Sequence, residues 1–96
     1  MLTFDQIKNS VSKIGKRYGV KSAFLFGSYA KGEATEKSDV DILIDRGEID
    51  TYDSYYHFCA DLENELNKEI SLVSMDGTRP NFLKAIEKDK VLLYGA

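Results

Sequence analysis

The 96-residue chain carries one cysteine, one histidine and one proline, and no long apolar run. A lone Cys59 excludes an internal disulfide and, in the run YYHFCADL, reads as a small core residue rather than a redox centre. The only histidine, His57, falls on the polar side of a predicted helix and reads as solvated rather than as a base. No apolar stretch approaches the ~18 residues of a membrane span. The opening MLTFDQIKNS lacks the basic and apolar regions of a signal peptide, so a cytoplasmic protein without membrane contact is expected. A basic cluster is missing too. Thirteen lysines and arginines are scattered among sixteen acidic residues, for a net charge of −3, and direct stable nucleic-acid binding is not expected.

What remains is the composition of an ordinary globule, 43% hydrophobic and 30% charged. A chain of this length reads as a single domain, residues 1–96, with a modest core. Thr3 and Gln6 form a capping-box pattern that opens a helix. Phe4, Ile7, Val11, Ile14 and Tyr18 recur along it at helical spacing before Gly19 stops it. Lys21 to Phe26 reads as a strand broken by Gly27, and Val40 to Ile44 as a second strand rich in β-branched residues. The short connection between them suits an antiparallel return with a helical turn. Thr51 to Leu66 reads as a long helix with Tyr55, Phe58, Cys59, Leu62 and Leu66 on its apolar stripe; its tyrosines Tyr52, Tyr55 and Tyr56 are expected to be mostly core, with one at the edge free to mark a partner surface. Glu69 to Ser74 has strand character, Asp76-Gly77 reads as a turn, and Glu48 and Asp50 as loop charges. Pro80 suits the first turn of a third helix to about Glu87, and Val91 to Tyr94 is a closing apolar segment. The expected fold class is α/β (α+β), a small mixed sheet with helices packed on it.

The chemistry concentrates in FLFGSYAKGEATEKSDVDILID, residues 24–45. Asp39 and Asp41 alternate with Val40, so on a strand both carboxylates project from one face while Val40 turns to the core. Two carboxylates so close repel, and a bridging cation holds both ionised. An oxygen-only pair suits Mg²⁺ or Mn²⁺, metals that complete their shell with water and nucleotide phosphates. The Gly27-Ser28 corner supplies the complementary half. A residue without a side chain lets a ligand approach the backbone, and the N–H groups and hydroxyl there can take a phosphate. Together they describe a site for a nucleoside triphosphate and its metal, the equipment of phosphoryl or nucleotidyl transfer.

Gly27-Ser28, ten residues, then Asp39-Val40-Asp41 resembles the signature of the DNA polymerase β-like nucleotidyltransferases. The stretch GSYAKGEATEKSDVDILI is similar to the version found in minimal nucleotidyltransferases, with Ala30, Lys31, Gly32, Ala34 and Ser38 in place, and the resemblance extends over essentially the whole chain. It implies the polymerase β-like fold. It also implies that Gly27 and Ser28 hold the triphosphate of ATP, that Asp39 and Asp41 are the catalytic, metal-binding pair, and that Lys31 adds charge near the phosphates or stays solvated. Proteins of this kind are usually antitoxins of HEPN-domain toxins, and some transfer AMP from ATP to a tyrosine of the toxin.

One position departs from the pattern. Where minimal nucleotidyltransferases typically carry a third carboxylate, in a segment like Lys-Val-Asp-Leu-Val, this chain reads Lys68-Glu69-Ile70-Ser71-Leu72-Val73. Ser71 is a poor metal ligand and no base at neutral pH. Glu69, two residues earlier and on the same face of a regular strand, is the alternative metal ligand. Two functions stay open: an adenylyltransferase antitoxin, or a nucleotide-binding antitoxin, impaired in catalysis, that neutralises its partner by complex formation.

Overall fold

The computed structural model describes residues 1–95. Helix α1, Phe4–Tyr18, begins where Thr3 closes a reciprocal capping box: the Gln6 N–H donates to Thr3 Oγ1 at 3.1 Å and the Thr3 N–H to Gln6 Oε1 at 2.8 Å. It ends at Gly19, whose left-handed φ of 74° an L side chain rarely adopts. Its apolar stripe buries Ile7, Val11 and Ile14. Phe4, expected on that stripe, is 40% exposed and lies outside the core cluster.

Strand β1, Ser22–Phe26, leads directly into a five-residue helix α2, Gly27–Lys31, and then into β2, Val40–Asp45. β1 and β2 pair antiparallel, with Phe26 opposite Asp41 and Phe24 opposite Leu43. Helix α3, Tyr52–Leu66, is capped by Thr51, which accepts from the Ser54 N–H, and ends at Asn67 in the left-handed region. It is the crossover to β3, Ile70–Ser74, which pairs parallel to β2. A 3₁₀ turn, Met75–Gly77, and a short helix α4, Pro80–Ile86, then lead to β4, Val91–Gly95, antiparallel to β1. The strand order is β3-β2-β1-β4.

Alternation along the strands sorts the two faces. Ala23, Leu25, Val40, Ile42 and Ile44 join Ile7, Val11, Ile14, Phe58 and Leu62 of α1 and α3 in one core. Tyr18 closes on Phe58 edge to face, with ring centroids 5.4 Å apart, and donates its hydroxyl to Asp61 at 2.5 Å. The outer carbonyls of edge strand β3 are met by side chains rather than another strand. Tyr55 donates to Leu72 O at 2.9 Å, Thr78 to Ser74 O at 2.6 Å and the Cys59 thiol to Ile70 O at 3.8 Å.

The α3 tyrosines differ from the expectation that they are mostly core. Tyr55 is half-buried, but Tyr52 and Tyr56 are 82% and 64% exposed and stack on each other at 6.4 Å. They lie beyond the edge of β3, so no sheet surface reaches them. His57 is exposed, as expected, and Cys59 only half-buried.

Candidate active site

The expected site residues meet where β1 ends and β2 begins. Gly27 takes φ of +69°, and a Cβ built there would lie 2.1 Å from Asp41 Oδ2 and 3.0 Å from its Cγ. The glycine of the corner is therefore the floor on which the Asp41 carboxylate sits. This contact follows from the ladder, since Phe26, the residue before Gly27, is the cross-strand partner of Asp41. Gly27 and Ser28 open α2 without a side-chain cap, which leaves its first N–H groups free for a ligand.

Asp39 reaches the site through an ordered turn. The Thr35 N–H donates to Ser38 Oγ at 2.9 Å and the Ser38 N–H returns to Thr35 O at 3.0 Å, which directs the chain into β2. Asp39 is exposed at the strand's entrance, whereas Asp41 is half-buried. Burial pushes the Asp41 carboxyl above its ordinary value, the Ser71 hydroxyl lowers it by hydrogen bonding, and the charge of Asp39 raises it further. Ser71 sits directly opposite Asp41 on the parallel ladder, on the same face.

The other expected residues are spread further. Lys31 is exposed at the C-terminal end of α2, about 6 Å along the helix from Gly27, where its charge also suits the helix dipole. Glu69 is exposed and precedes β3 instead of belonging to it; its carbonyl accepts from the Val40 N–H at 3.1 Å. Among the described residues, no three His, Cys, Asp or Glu side chains converge to hold a metal. The aspartate pair, with Asp41 in a cradle that a Cβ at residue 27 would fill, is an all-oxygen donor set that fits one hard divalent cation needing further ligands from water or phosphate.

Sequence reasoning missed Phe82. Its ring packs edge to face on Phe26, centroids 5.6 Å apart at 83°, on the face that carries Asp41. One phenylalanine on a seven-residue helix gives no periodic signal that could have found it. A separate cavity of about 810 Å³ is lined by Arg46, Tyr52, Tyr55, Leu72, Asp76 and Thr78 among others. Arg46 lies roughly 16 Å along β2 from Asp41 at ordinary strand rise, and its guanidinium is engaged by Asp76. Its lining also holds Asp50 and Asp76, but Asp76 is committed to Arg46 and Ser74, and the aspartate site at Gly27 is the better candidate for transfer chemistry.

The family described as polymerase beta nucleotidyltransferase matches residues 9–96. The chain is 33% identical over 95 residues to protein adenylyltransferase MntA of Thermococcus cleftensis, covering 95% of this chain and 96% of that one. A solved chain regarded as a minimal nucleotidyltransferase superposes with a TM-score of 0.81 at 26% identity, covering 94% of this chain and 95% of the other. The solved complex of a tri-AMPylated Shewanella oneidensis HEPN toxin with an MNT antitoxin also contains this fold, with a TM-score of 0.75 at 17% identity over 98% of this chain and 74% of that one. Matched over nearly its whole length, with the glycine corner seated on its aspartate, the chain belongs to the polymerase beta nucleotidyltransferase family.

Proposed function

We propose that the chain is a single-domain, metal-dependent nucleotidyltransferase that moves AMP from ATP to a tyrosine hydroxyl of a cytoplasmic HEPN-domain toxin, and so acts as its antitoxin. The observation that carries this reading is the contact of Gly27 with the Asp41 carboxylate, which joins a phosphate-gripping corner and an acidic pair in one site. The adenylyltransferase name of the Thermococcus relative and the toxin–antitoxin assembly among the structural neighbours support it.

In this reading Gly27 and Ser28 hold the triphosphate through backbone N–H groups and the serine hydroxyl. Asp39 and Asp41 hold Mg²⁺ or Mn²⁺, which when bound neutralises phosphate charge. The tyrosine oxygen bonds to the α-phosphorus as the bond to pyrophosphate breaks, and the hydroxyl proton passes to solvent water. Ser71 stands opposite Asp41 on the ladder, where its hydroxyl favours the ionised carboxylate, and the Glu69 backbone pairs with the entrance of β2.

Ser71 also favours a second reading. A serine opposite Asp41 leaves the site with two carboxylates, which supports nucleotide binding better than transfer, and a complex alone would then neutralise the partner. Transfer of label from α-labelled ATP, with Mg²⁺, to a HEPN-domain protein that co-purifies with this chain decides between them. The adenylyltransferase reading expects label that the Asp39→Asn/Asp41→Asn variant loses by a factor on the order of 10² or more. A stable complex without label would establish the binding antitoxin instead.

A further inference from the structure

The face that carries Asp41 also carries Phe24, Phe26 and the buried Leu43, and Phe82 of α4 stands over Phe26 at its edge. Phe26 is buried to 7% exposure, directly precedes the Gly27 corner and is the ladder partner of Asp41. Phe82 packs edge to face on that ring and remains 39% exposed. No residue of α4 is itself buried, and its contact with the sheet here is Phe82 covering Phe26. Its Phe82 ring sits one aromatic layer from Phe26, the residue that both precedes the Gly27 corner and pairs with Asp41.

We propose that Phe82 is the aromatic contact for the base of the bound nucleoside triphosphate, with a purine as the favoured ring. This inference rests on the nucleotidyltransferase reading of the same site. Displacement in line places the incoming acceptor opposite the leaving pyrophosphate, hence away from the Gly27-Ser28 corner. Phe82 lies over β1, the strand that ends in that corner, whereas Ser71 and the free edge of β3 lie beyond β2. The nucleoside, and not the acceptor, is therefore the group on the Phe82 side. Stacking on an aromatic ring accepts any base through its π-face and favours the larger purine surface.

Calorimetric titration with AMP-PNP and with inorganic tripolyphosphate, both with Mg²⁺, tests this on the wild type and on Phe82→Tyr, Phe82→Leu and Phe82→Ala. Phe82→Leu keeps apolar packing on Phe26 and removes only the ring. The expected result is an AMP-PNP Kd raised between roughly fivefold and a hundredfold in Phe82→Leu and Phe82→Ala, near wild type in Phe82→Tyr, with tripolyphosphate binding equal in all four. Unchanged AMP-PNP affinity, or a loss shared by both ligands, overturns the proposal. So does a loss in Phe82→Ala that Phe82→Leu restores, since packing alone would explain it. If the wild type binds neither ligand, the nucleotide reading of the site fails and this inference falls with it.

Discussion

Gly27 and Asp41 depend on each other in a way that substitution makes visible. An alanine at residue 27 would suffer twice, from a φ of +69° and from a Cβ 2.1 Å from the carboxylate oxygen. The backbone strain costs about 1–2 kcal/mol, and the carboxylate can escape the clash only by rotating out of its seat. Gly27→Ala is expected to lose stability by that amount in denaturant titration and to lose nucleotide transfer more severely than the stability change explains. Asp41 itself is held at some cost to the fold. Its carboxyl is raised above its ordinary value mainly by burial, so the folded chain binds that proton more tightly than the unfolded chain does. The corresponding stability is present below the ordinary carboxylate range and is lost as pH rises through the folded value. In buffer free of divalent cations, Asp41→Asn is therefore expected to melt above the wild type near neutral pH and to converge with it in acid. Equal melting curves at both pH values would refute the role of burial.

Among elements, α1 and α3 carry the stability and α2 and α4 border the site. Phe58 is fully buried between the sheet and Tyr18, and truncating it to alanine is expected to cost about 3–5 kcal/mol in chemical denaturation. The helices beside the site contrast with this, since neither α2 nor α4 has a buried residue. Substitutions on their exposed sides should leave stability within about ±0.5 kcal/mol while still affecting the ligand. Periodicity made the long helices legible, because Ile7, Val11 and Ile14, or Phe58 and Leu62, repeat at helical spacing and are buried for that reason. It misjudged Tyr52 and Tyr56, since a stripe records spacing but not whether a neighbouring surface extends far enough to cover it. Glu69 failed to join β3 for a similar reason: the chain leaving α3 through left-handed Asn67 begins strand geometry only at Ile70.

At the scale of the molecule, the sheet brings together groups from three strands at one end: Phe26 of β1, Asp41 of β2 and Ser71 of β3 form one row across the ladders. A cation bound at that row stabilises only the folded chain, because the unfolded chain does not preserve the arrangement. Saturating Mg²⁺ or Mn²⁺ at a hundred times its Kd is expected to add about 2.7 kcal/mol. The wild type should accordingly melt higher with metal than with chelator, and Asp39→Asn/Asp41→Asn should show no difference. An equal rise in the variant would place the cation elsewhere. The amino-acid sequence alone determined the capping of α1, the alternation that turns Val40 to the core and Asp41 to the other face of β2, and the glycine corner ahead of them, because each depends on residues a few positions apart. Only the tertiary structure decided that Gly27 is the floor beneath Asp41, that Ser71 faces that same carboxylate and that Phe82 packs on Phe26 beside the corner. These are contacts between segments distant in the chain, and ladder register together with packing of α4, rather than local spacing, fixes them.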